Sequence, residues 1–190
     1  MEYKYLLELL RQGLYKEYFE AVDRALVPFQ PPARYGRSVL ENSSFIVSSV
    51  HEDADLHGQG FVARLSGSTA EFIHMWLLMN AGPRPFCLDA NGRLVLEFKP
   101  ALAGGMFTSK SDGGFRAGTY AFKFLGTTLI VYHNAKRADT FGPGGVKPVK
   151  ALVKYAGRKE PVVVQGAVLA GQIARDVRDR KVERIDITLA

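Results

Sequence analysis

Ser66-Gly67-Ser68-Thr69 stands directly before an apolar segment that runs to Ala81, and this juxtaposition is where chemistry could reside. Ser68 and Glu71 form the S-x-x-E pattern of a capping box, which predicts Ser68 as the N-cap of a helix over 69–81, closed by Gly82 and Pro83. A glycine flanked by hydroxyls at a helix start gathers free backbone N–H groups at the positive end of the helix dipole. The chemistry this suits is the holding of a small anion. Glu71 works against that use, because its carboxylate competes for the same positive end. An ordinary capped helix that binds nothing is the plainer reading of the same residues.

Other residue types capable of chemistry have local explanations. His51, Asp53, Asp55 and His57 share one polar loop, but their spacing matches no established metal site and a solvated loop accounts for them. No metal is expected. His74 lies inside the apolar segment and reads as a hydrogen-bonded core histidine, with Phe72, Trp76 and Met79 as core, since a helix apolar on every face must be buried. Cys87 has no neighbour that would make it a nucleophile. Asp89, Asp112 and Asp139 sit near glycines, where aspartate serves turns, and no carboxylate pair can be nominated for general acid–base work.

The elements that must position these residues divide near residue 84. Before it, Tyr3, Leu6, Leu7, Leu10, Leu14, Tyr18, Val22 and Leu26 recur at three- and four-residue steps, predicting helix over 2–27 with a turn at Gly13. Pro28, Pro31 and Pro32 end it. After it the texture changes to short strands, at 94–98, 120–125, 128–133, 149–155, 160–164 and 182–189, with a hairpin at Gly126-Thr127. In the last strand Ile185, Ile187 and Leu189 alternate with Arg184, Asp186 and Thr188. The fold class is therefore α+β, with a helical segment over 1–84 and an antiparallel β-sandwich over 85–190.

Composition narrows the class. Of 190 residues, 47% are hydrophobic and 23% charged, as in ordinary globular proteins. No apolar run reaches the ~20 residues of a membrane span. The opening MEYKYLLELLRQG has no basic n-region followed by an apolar h-region, and Cys87 is alone, so a cytoplasmic chain without disulfides is expected. The net charge of +6 invites a nucleic-acid reading. Its densest run, ARDVRDRKVER, interleaves acids with bases and reads as a solvated turn between strands, so neither nucleic acid nor membrane is expected as a partner.

The order of these pieces resembles the C-terminal part of the inverting disaccharide phosphorylases of the cellobiose phosphorylase and cyclic β-1,2-glucan synthase family. Leu65-Ser66-Gly67-Ser68-Thr69-Ala70 resembles that family's L-T-G-T-A loop, which opens one of the last helices of an (α/α)6 barrel. Ala81-Gly82-Pro83-Arg84-Pro85, then Leu94-Val95-Leu96 with Pro100, match the turn and strand that follow. Gly118-Thr119-Tyr120, leading to Ile130, Val131 and Asn134, matches a strand pair of the closing sandwich. The resemblance covers roughly residues 35–190.

The resemblance implies an activity. These enzymes cleave a β-glucosidic bond with inorganic phosphate as substrate, an aspartic acid protonating the departing oxygen while phosphate attacks from the opposite face; no cofactor is involved. The loop's hydroxyl and the next backbone N–H hold that phosphate, and the matching positions are Ser66 and Gly67, with Ser68 beside them. Arg64 stands where the family more often has an aromatic residue, and either adds a positive contact or forms a surface ion pair. The general acid and a phosphate-holding histidine belong to motifs that have no counterpart here, and residues 1–84 cannot supply a whole barrel. The implied protein is the C-terminal portion of a glycoside phosphorylase, inactive alone, with oligosaccharide and phosphate as ligands. It would associate with an upstream catalytic segment or form a homo-oligomer through Leu6, Leu10, Leu14 and Tyr18. A stand-alone carbohydrate-binding or scaffolding module, using Tyr120, Phe122, Phe124 and Tyr132 for stacking, is the alternative.

Overall fold

The computed structural model describes residues 2–38, 45–61 and 67–190, the side chains of Pro28 and Ser68 excepted. The fold is mixed α+β, and the chain separates into two compact units, Met1–Leu78 and Met79–Ala190. The division falls within a helix rather than after it.

In the first unit the apolar stripe becomes two helices, α1 (Glu2–Arg11) and α2 (Tyr15–Ala25). Gly13 between them adopts φ +74°, a left-handed conformation that breaks the helix as expected. Leu6, Leu7 and Leu10 of α1 and Tyr18 and Val22 of α2 are buried. The Tyr3 hydroxyl accepts from the Val27 backbone N–H at 3.3 Å, tying the start of α1 to the end of α2. A short helix, α3 (Pro32–Tyr35), follows, and β1 (Phe45–Ile46) pairs antiparallel with β2 (Gly60–Phe61). Then comes α4 (Gly67–Ala81). Leu6, Leu10 and Tyr18, three of the residues expected at an oligomer interface, are buried. Of the four residues expected there, only Leu14 is exposed, at 44%.

The second unit holds two sheets. One is three-stranded and antiparallel, β3 (Phe86–Leu88), β4 (Leu94–Glu97) and β9 (Val168–Ala170), in the order β3-β4-β9. The other contains β5 (Thr119–Phe124), β6 (Thr128–His133), β7 (Pro148–Tyr155), β8 (Val162–Gln165) and β10 (Val182–Leu189), in the order β5-β6-β10-β7-β8. All its pairings are antiparallel save one. The final strand β10 enters between β6 and β7 and runs parallel to β6, which departs from the expected wholly antiparallel arrangement. The hairpin between β5 and β6 turns through Leu125, Gly126 and Thr127, the first two at positive φ.

An aromatic cluster joins these sheets. Phe86 of β3 stacks on Phe124 of β5 at 5.9 Å between ring centroids, and Phe98 lies edge-on to Phe124 at 5.2 Å. The apolar alternates of β10, Ile185, Ile187 and Leu189, are buried as predicted. Full burial of each such side chain contributes about 1.5–3 kcal/mol.

The charged run ARDVRDRKVER is not a turn throughout. Its first half completes helix α5 (Gln172–Arg178), in which Ala174 and Val177 are buried while the charges face outward. Asp176 there accepts from the Tyr155 hydroxyl at 3.0 Å and from Gln172 Nε2 at 2.8 Å.

Candidate functional site

Two places in the structure collect polar groups that could act on a ligand. The first is the start of α4. The described part of the helix opens at Gly67, so Ser68 lies within it instead of preceding it as an N-cap. Arg64 and Ser66 lie outside the described residues. Near the same end of the helix the Thr69 hydroxyl oxygen is buried and has no hydrogen-bond partner among the described residues.

At the other end of α4 three backbone carbonyls are bonded by neighbouring segments. Gly82 takes φ +87° after the last helical residue, as a helix-ending glycine does. The terminal carbonyls that a helix leaves unbonded are met by neighbours. Met79 accepts from Ala101 N at 2.8 Å, Asn80 from the Tyr132 hydroxyl at 2.6 Å and Ala81 from Lys99 N at 3.2 Å.

The faces of α4 hold a further surprise. The helix is apolar all round, yet Ile73 is 53% exposed, Leu77 41% and Phe72 36%, whereas Met75 is buried. His74, expected in a core, is also exposed, and its Nδ1 accepts from Arg11 Nη2 at 3.4 Å.

The second place was not nominated from sequence. The faces of β10, β6 and β7 that point away from the aromatic cluster carry Arg184, Asp186, Thr188, His133 and Lys154. The parallel pairing of β6 with β10 sets Thr188 beside His133 and Asp186 beside Val131. Asp186 is the hub. His133 Nε2 donates to its Oδ1 at 2.7 Å, Arg184 donates from Nε to Oδ2 at 2.8 Å and from Nη2 to Oδ1 at 2.6 Å, and Lys154 Nζ stands 3.7 Å from Oδ2. Burial by itself raises the Asp186 pKa, but the hydrogen bonds from His133 and Arg184 outweigh it and hold the carboxyl well below the usual carboxylate range.

A loop between β4 and β5 roofs this face. Thr108 and Gly118 close its base, with Gly118 N donating to Thr108 O at 2.7 Å, and Asp112 and Phe115 exchange backbone hydrogen bonds at its tip. Phe115 lies 6.0 Å from the Arg184 guanidinium, a cation–π distance. Between loop and sheet is a pocket of about 310 Å³.

The remaining candidates are structural. His51 Nδ1 accepts from Asp53 N at 3.1 Å, Asp53 Oδ1 from Asp55 N at 3.0 Å, and His57 Nε2 lies 2.7 Å from His51 O, so these groups shape a turn. No metal-binding group of three His, Cys, Asp or Glu occurs among the described residues. Asp89 and Asp139 accept from backbone N–H groups of their own turns and of Gly104. Phe122, Phe124 and Tyr132 are buried and Tyr120 packs on Phe107, so these aromatics offer no stacking platform for sugar.

Comparison with protein-family models, with curated proteins and with solved structures found no match to this chain. Among the described residues no helix is long and apolar enough to cross a membrane.

Proposed function

We propose that the chain is the C-terminal portion of an inverting glycoside phosphorylase of the cellobiose phosphorylase type, cytoplasmic, and supplies one side of the phosphate site. In this reading the helices of the first unit are the last helices of an (α/α)6 barrel, and the two sheets with their aromatic cluster are its closing β-sandwich. The observation that carries the reading is the buried Thr69 hydroxyl near the start of α4, which has no partner among the described residues. A buried hydroxyl costs free energy unless it is hydrogen-bonded, and an oxyanion at the helix start would satisfy it.

The chemistry follows from the helix end. Inorganic phosphate must lie opposite the departing glycosidic oxygen and attack in line. In this reading Ser66, Gly67 and Ser68, with Arg64 two positions before them in sequence, hold its charge with the help of the helix dipole. The general acid comes from an upstream segment. The exposed Phe72, Ile73 and Leu77 of α4 support such a partner, because a contiguous apolar face on a helix is normally covered.

The test is phosphorolysis of cellobiose, laminaribiose and sophorose, followed as glucose 1-phosphate. The purified chain releases none, and co-expression with the polypeptide carrying the barrel's general acid restores release. Turnover by the chain alone, or none with that polypeptide present, would overturn the reading.

A further inference from the structure

The polar face of the five-stranded sheet carries more positive charge than its own carboxylate neutralises. Arg116, Lys154 and Arg184 line the pocket against Asp186 alone, three cations to one carboxylate, an excess of two before His133 is counted. Arg184 is already oriented. Its Nε and Nη2 are committed to Asp186 and its guanidinium carbon lies over the Phe115 ring, while Nη1 has no partner among the described residues. Lys154 is half-exposed and Arg116, on the roofing loop, is exposed. Lys150, paired with Thr188 in register, adds a further cation on the same sheet face.

We propose that this pocket binds a small phosphate monoester. A phosphate monoester carries about −1.5 to −2 at neutral pH, which matches the excess, whereas a monocarboxylate leaves a cation unmatched. Guanidinium and ammonium donors suit its oxygens. Phe115 and Leu152 supply an apolar wall for the carbon skeleton, and about 310 Å³ lies at the small end of ligand cavities. The site lies within the second unit and is independent of the phosphorylase reading.

The experiment is an NMR titration of the ¹⁵N-labelled chain with glucose 6-phosphate, and in parallel with glucose and with inorganic phosphate. Glucose 6-phosphate shifts the amides of residues 114–119, 133, 152–154 and 184–188, and glucose leaves them unmoved. Lys154→Gln and Arg116→Gln each weaken binding about ten-fold, the loss of one charge-assisted hydrogen bond, with the rest of the amide spectrum unchanged. Undiminished binding in both variants overturns the proposal. So do an equal response to glucose, shifts confined to the start of α4, or no response at tens of millimolar. Inorganic phosphate binding as tightly as glucose 6-phosphate would overturn the monoester, leaving a site for the anion alone.

Discussion

Asp186 and His133 lie 53 positions apart in the chain, yet the Nε2 of one meets the Oδ1 of the other at 2.7 Å because the last strand enters the sheet parallel to β6. The same carboxylate takes two further hydrogen bonds from Arg184. It is the only acid facing the pocket among the lining residues, so three side chains depend on it for their placement.

Removing that carboxylate should destabilise the fold in a pH-dependent way. Asp186→Asn is expected to cost about 1–2 kcal/mol near pH 6, from charge-assisted hydrogen bonds in a mostly buried position. The folded-state pKa lies below the unfolded value, about 3.9. The stabilisation is therefore present above that value and lost as pH falls through the acid range toward the folded pKa. Urea midpoints should separate wild type and variant at pH 6, and the gap should begin to narrow as pH falls below about 4. A gap that stays constant contradicts the assignment.

Tyr132→Phe should cost about 1–2 kcal/mol, because the buried hydroxyl donates to the Asn80 carbonyl at 2.6 Å and its removal leaves that acceptor unmet. Chemical denaturation measures it, and a loss below about 0.3 kcal/mol would mean the carbonyl finds another donor.

Two glycines at similar φ separate strain from crowding. At Gly118, φ +75°, an added Cβ would lie 2.7 Å from the Asn134 carbonyl oxygen, whereas at Gly126, also φ +75°, it meets nothing within 4 Å. Gly126→Ala should cost about 1 kcal/mol for the left-handed conformation alone. Gly118→Ala should cost about 2–4 kcal/mol, since backbone must also move. Equal losses of thermal stability in the two variants would refute the close approach.

The exposed face of α4 should govern association. Ile73→Glu with Leu77→Glu is expected to leave helicity intact while abolishing self-association or capture of the barrel segment, since both side chains are exposed and apolar. Light scattering and circular dichroism check it. A loss of helicity would place these residues in the core.

Much of the frame was legible in the sequence, because periodicity and turn residues act locally. The stripe from Tyr3 to Leu26 and its break at Gly13 became α1 and α2, and the alternation of 184–189 became β10. Helix α5 was hidden because its buried side shows only Ala174 and Val177 among closely spaced charges. The His133–Asp186 pair was hidden for another reason: strand order and direction depend on long-range pairing that no local pattern encodes. Asp186 reads as the solvent face of an alternating strand, yet it is buried, with His133 and Arg184 bonded to it and the 114–116 segment lining the same pocket. The exposure of His74, Ile73 and Leu77 shows the converse case, an apolar helix whose cover is not set by its own composition.

The start of α4 is where the account is most directly tested. Inorganic phosphate titrated into the ¹⁵N-labelled chain should shift the amides of Gly67 to Ala70 with a dissociation constant in the millimolar range, worth about 3–4 kcal/mol from two or three helix-end donors. Gly67→Pro, which removes one of those N–H groups, should weaken the response. Localised, saturable shifts that diminish in the variant are the predicted result. No response of these amides up to about 50 mM phosphate, well above that affinity, would contradict a phosphate-holding helix start and with it the phosphorylase assignment.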